Sequence, residues 1–157
     1  MTVAFVTMVY NDEVFLDFWV RYYDKHTSRQ NMHVITHGPH KSAHEIAKGC
    51  VITECPRDPN DPQMEKGRFH YVVDYCSRLT EEYDRVVYND VDELIVLDPD
   101  HGDDLVQYLI DIPQEHSVVT PIGIEIIHRT DVENDYDHTR PLLSQRKFGR
   151  MNAWFCK

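Results

Sequence analysis

The sequence contains no C-x-x-C pair, no G-x-x-x-x-G-K-S/T loop, no G-x-G-x-x-G turn and no apolar run of membrane-spanning length. These absences argue against a zinc ribbon or dithiol centre, a phosphate-cradling P-loop, a dinucleotide fingerprint and a transmembrane helix. Basic residues are also short: 16 Lys plus Arg stand against 27 Asp plus Glu, a net charge of -11. A nucleic-acid or membrane-surface binder carries a basic face, and here only Arg146, Lys147 and Arg150 cluster, so no nucleic acid is expected as a partner. A chain this acidic needs a metal ion or a local basic patch to hold a phosphate ester. The four cysteines, Cys50, Cys55, Cys76 and Cys156, read as free thiols of a reducing compartment, and the expected location is cytoplasmic. Met1 to Tyr10 lacks a basic leader and a small-residue cleavage site, and reads as a strand rather than a signal.

What is present fits one soluble domain. The chain has 157 residues, 41% of them hydrophobic and 11% aromatic, enough to bury a core. Val3–Met8 is rich in strand formers. Asn11 and Asp12 are good helix caps, and Val14, Phe15, Phe18, Trp19, Tyr22 and Tyr23 recur at helical spacing to about residue 24. Met32–Thr36 and Val51–Thr53 read as strands flanking a short helix over Lys41–Lys48, stopped by Gly49. Residues 56–63, PRDPNDPQ, form a loop. A helix over Met64–Tyr83 leads to VVYNDVDELIVLDP (86–99), where a buried strand at Val86–Tyr88 and another at Leu94–Leu97 bracket the acidic triplet. A turn at Pro99–Gly102, a helix over Asp103–Ile110 and strands at Ser117–Thr120 and Ile122–Ile127 follow, and Arg129–Pro141 is irregular. Strands alternating with helices predict an α/β sandwich with a mostly parallel sheet.

In such a sheet ligands bind beyond the carboxyl ends of the strands. Asn11 and Asp12 fall at that end of the first strand, His37 and Gly38 after the second, and Asp90 and Asp92 after the Val86 strand. Two Asp at i, i+2 offer oxygen ligands to Mg²⁺ or Mn²⁺, ions that take one or two carboxylates plus phosphate oxygens and water. Against this, D-x-D triplets arise by chance in acidic chains, and an Asp after a strand is often a turn former or cap. An EF-hand is excluded because its sixth and twelfth positions, counted from Asp90, are Ile95 and His101. A D-x-D-x-T phosphatase would want Thr or Val at Leu94. Trp19, Tyr22 and Tyr23 read as core rather than as a sugar platform. The ten His residues are scattered, with His37 and His40 nearest the site. Lys66 and Arg68 could meet a phosphate but read more simply as solvated charge.

Four stretches, VTMVYNDEVFLDFWVRYY (6–23), MHVITHG (32–38), VVYNDVDELIVLDP (86–99) and RPLLSQRKFGR (140–150), resemble in order and spacing a bacterial branch of the family 2-like glycosyltransferases. The N-D-V-D-E form is more specific than a bare D-x-D. The resemblance implies a GT-A-type, Rossmann-like three-layer fold over residues 1–157. It implies a nucleotide-diphosphate-sugar donor, commonly a UDP-sugar, bound with Mn²⁺ or Mg²⁺, and transfer to a glycan, lipid or small-molecule acceptor. Asp92 would ligate the metal, and Asp90 would share it or contact the ribose. Thr7, Asn11 and Asp12 would line the nucleotide pocket, with His37 approaching the base. Arg146, Lys147 and Arg150 could close over the diphosphate.

The chain departs from that pattern in three places. T-H-G-P-H (36–40) stands where the family often has an acidic base-contacting motif, and Tyr10 where relatives often have Arg. The family's acceptor region, which supplies an inverting enzyme's base, lies beyond the segment that corresponds to Lys157. Glu125, Asp131, Glu133, Asp135 and Asp137 are available as a base, and nothing in the sequence singles one out. The alternatives are a truncated or degenerate domain that binds nucleotide or sugar without turnover, and a metal-dependent nucleotidyltransferase.

Overall fold

A computed structural model describes residues 1–113, 115–116, 118–137 and 139–151. Where the sequence suggests one domain, the described chain gathers into two compact units, 1–112 and the segment from Pro113 onward.

The first unit is an α/β layer structure around four strands, β1 (Val3–Val9), β2 (Met32–His37), β3 (Val51–Cys55) and β4 (Arg85–Tyr88). All pairings are parallel and the order is β3-β2-β1-β4. Every residue of β1 and β2 is buried. Strands covered on both faces read as continuous apolar runs, which is why VAFVTMV shows no alternation. On one face Val3, Phe5, Val9, Met32 and Val34 meet Leu16, Trp19, Val20 and Tyr23 of α1 (Glu13–Tyr23), Ala43 of α2 (Lys41–Ile46) and Leu105 of α3 (Leu105–Asp111). The other face carries Ala4, Val6, Met8 and Ile35, covered by Val72 and Leu79 of the helix Met64–Leu79, here αP.

Asp12 caps α1 as its sequence position suggests, its side chain accepting from the Phe15 amide at 3.2 Å. Trp19 and Tyr23 are fully buried, as expected of core residues. Three expectations need correction. β4 is a sheet edge and only half buried, because nothing pairs beyond it among the described residues. Leu94–Leu97 is not a strand. Leu94, Ile95 and Leu97 pack on the core while Val96 is exposed, and tyrosine hydroxyls rather than a ladder satisfy the Ile95 backbone: Tyr23 Oη accepts from the Ile95 amide at 3.0 Å, and Tyr22 Oη donates to the Ile95 carbonyl at 2.9 Å. Of the expected strand 117–120, Ser117 lies outside the described residues and 118–120 are irregular.

The second unit holds an antiparallel pair, β5 (Ile124–Ile127) with β6 (Phe148–Met151), a separate sheet rather than a continuation of the parallel one. A cavity of about 520 Å³ within this unit is lined by Glu133, Asp135, Asp137, Arg140, Lys147 and Phe148, among others.

Candidate functional site

The order β3-β2-β1-β4 makes the gap between β1 and β4 the point where the chain, having added strands in one direction, turns to the other. Open α/β sheets bind ligands at the carboxyl edge of such a point. The loop after β1 carries Tyr10, Asn11 and Asp12, and the loop after β4 carries Asn89 to Glu93. Asn89 follows directly on the β1–β4 ladder, its amide donating to the Val6 carbonyl at 3.3 Å. Asp90 is therefore brought alongside the end of β1, the strand that carries Thr7. His37 ends β2, whose Thr36 is in register with Val9. Thr7, Asn11, Asp12, His37, Asp90 and Asp92 thus share one edge of one sheet.

The acidic turn is held from inside. The Glu93 amide donates to the Asp90 carbonyl at 2.9 Å, closing a turn over residues 90–93. Asn89, 3% exposed, clamps it: its Nδ2 donates to the carbonyls of Asp90 and Glu93. Asn89 Oδ1 accepts in turn from the Tyr23 hydroxyl at 3.2 Å. Burial pushes the Tyr23 phenol well above its ordinary range, against the opposing pull of its bonds to the Ile95 amide and Asn89, so it stays a neutral donor. At the surface of the turn, Tyr88 Oη donates to Asp90 Oδ1 at 3.0 Å, and Asp92 is exposed.

A divalent ion fits this donor set in one way. Among the described residues no group of three or more His, Cys, Asp or Glu side chains is placed to hold a metal. Of the turn's three carboxylates, Asp90 is already oriented by a phenol and Asp92 is exposed. That suffices for a hard cation only when a bound diphosphate and water complete its shell. Asp90 and Asp92 would hold such an ion, and it would supply charge neutralisation at the diphosphate.

The remaining residues divide. Asn11 adopts φ +50, the left-handed region that Asn tolerates best among non-glycine residues, and this turns the chain from β1 into α1. Thr7 is fully buried, and its Oγ1 has no hydrogen-bond partner among the described residues. His40 and Ser42 both reach Glu13 Oε1, at 3.3 and 2.8 Å. These bonds hold the Glu13 carboxyl below its usual range and tie the start of α1 to that of α2.

Beside His37 stands a residue that the sequence does not mark. Arg57, in the proline loop after β3, lays its guanidinium 3.9 Å over the Tyr10 ring, and Tyr10 meets His37 edge-on at 6.1 Å. Gly38 at φ +88 makes room: a Cβ there would sit 3.2 Å from Arg57 Cβ. Arg68, in the second turn of αP, is half buried rather than fully solvated. Desolvation, then Arg57 and Arg68, hold the His37 imidazole below its ordinary range.

In the second unit, Arg150 is paired with Glu125 and Arg129 with Asp131, and Glu133 accepts from the amides of Arg129 and Lys147. Arg150 is thereby engaged with Glu125. Compared with family models, curated proteins and solved structures, the chain matches none.

Proposed function

We propose that this chain is a metal-dependent glycosyltransferase of GT-A type. It would move a sugar from a nucleotide-diphosphate donor, by preference a UDP-sugar, to a glycan, lipid or small-molecule acceptor. The observation that carries this reading is the Asp90–Glu93 turn, clamped by Asn89 at the β1–β4 switch point, with a second carboxylate exposed at Asp92. In such an enzyme Asp90 and Asp92 anchor the ion that neutralises the diphosphate as it departs. Asn11 and Asp12 line the nucleotide end of the crevice, Thr7 is a buried residue of the strand that leads to it, and His37 stands toward the base. Tyr88 orients Asp90, and Asn89 with Tyr23 keeps the turn rigid, so little ordering remains to be done when the donor binds.

Thermal shift against a panel of nucleotide sugars, with and without Mn²⁺, tests the reading. A melting rise that needs both components, together with release of the free nucleoside diphosphate, supports it. Release of pyrophosphate would instead identify a nucleotidyltransferase. Metal-dependent binding without turnover would identify a non-catalytic sugar-nucleotide domain.

A further inference from the structure

Three side chains near the ends of β2 and β3 carry buried nitrogens with no hydrogen-bond partner among the described residues: His37 Nε2, Arg57 Nε and Arg68 Nε. Buried donors are satisfied in native proteins, and leaving one unsatisfied costs about 1–3 kcal/mol, more for a charged group. Three in one neighbourhood imply an acceptor that the chain itself does not supply.

The charge pattern points the same way. In a protein of net charge -11, arginines have many carboxylates to choose from. Arg57 makes no ion pair or hydrogen bond among the described residues; its guanidinium is fixed instead by stacking on Tyr10. Arg68 holds Glu65 through one terminal nitrogen at 3.0 Å, leaving Nε unused. Both guanidiniums bear on His37, which is 5% exposed and kept neutral chiefly by desolvation. A neutral imidazole can donate one N–H without adding charge. Gly38 shapes the cluster, since a side chain there would press on Arg57.

We propose that His37, Arg57 and Arg68, with Tyr10 as the platform for Arg57, form a binding site for a phosphoryl group that needs no metal ion. Donors contributed by a strand end, a loop and a helix suit an oxyanion with acceptors in several directions, and guanidinium is the side chain best matched to phosphate. The site lies on the αP side of the sheet edge and draws no donor from the Asp90–Glu93 turn.

The test is calorimetry with inorganic pyrophosphate in EDTA, using the whole chain and the variants Arg57→Gln, Arg57→Lys, Arg68→Gln and Asp92→Ala. Wild type should bind, and Asp92→Ala should bind no more weakly, because it removes a carboxylate and no donor of this site. Arg57→Gln and Arg68→Gln should each weaken binding by about tenfold or more, and Arg57→Lys should fall between. Raising NaCl should weaken binding further. In wild type the His37 ring resonances should move during the titration, a readout that stands even if a glutamine variant fails to fold. UDP and glycerol 1-phosphate, run in the same buffer, distinguish a nucleotide carrier from a phosphorylated acceptor by which binds more tightly. No binding by wild type in EDTA, equal affinity in a folded Arg57→Gln, or stationary His37 resonances would each overturn the site. If Mn²⁺-dependent sugar-nucleotide binding fails while this site survives, only the transferase reading falls.

Discussion

At the scale of single residues, Tyr23 joins the core to the chemistry. Its ring packs tilted against Phe5, centroids 4.5 Å apart, while its hydroxyl serves Asn89 and the Ile95 amide at once. Tyr23→Phe keeps the packing and strands two polar groups. The expected loss is about 1–3 kcal/mol of stability by denaturant unfolding, with looser donor binding because the acidic turn loses its inner support. His33 is a second buried group with consequences. Its ring nitrogens meet the Tyr75 and Tyr83 hydroxyls at 3.0 and 3.3 Å, and desolvation lowers its pKa below 6.5 despite the opposing pull of Glu82. Below that pH the unfolded chain takes up a proton that the folded one refuses, so stability declines on acidification. His26 and His37 are lowered in the same sense. Urea unfolding across this range should show stability rising with pH, and His33→Gln should have a shallower slope. An unchanged slope would show that His33 titrates alike in both states.

The same residues show what was legible in advance. Asp90, Asp92, Asn11 and Asp12 announce themselves as polar interruptions after apolar runs, and the structure brings them to one edge. Tyr23 reads as core, which it is, but no spacing rule reveals that its hydroxyl reaches Asn89, 66 positions along the chain. Arg57 sits in a proline-rich loop that has no periodicity, so nothing local links it to Tyr10.

At the scale of elements, the strands and helices of the first unit follow their patterns because burial on both faces and end-capping are local signals. The segment Leu94–Leu97 misleads because an apolar run tells only that side chains are buried, not that the backbone joins a ladder. β6 is missed for the opposite reason: FGRM has little strand signature, and pairing with β5 makes it. The loop after β2 depends on Gly38, at φ +88 with Arg57 Cβ close by. Gly38→Ala should cost about 1 kcal/mol or more through backbone strain, and should displace Arg57 from Tyr10. A lower melting temperature together with altered Tyr10 ring resonances checks this. A melting temperature equal to wild type would contradict it.

At the scale of the whole molecule, the parallel sheet gathers loops distant in sequence onto one edge, and two half-buried cations of this acidic chain, Arg57 and Arg68, stand beside His37 there. The resemblance to family 2-like glycosyltransferases agrees with the α/β architecture but rests on the sequence motifs. The second unit, with its antiparallel pair and polar cavity, belongs to a part of the chain whose pattern is weak. No helix among the described residues is long and apolar enough to cross a membrane.

The central claim is that the Asp90–Asp92 turn binds a divalent ion together with a nucleotide sugar. Calorimetry of a UDP-sugar with Mn²⁺, comparing wild type with Asp92→Ala, measures it most directly. Saturable, Mn²⁺-dependent binding by wild type and its loss in a folded Asp92→Ala are expected. Binding of equal affinity in both proteins would contradict it.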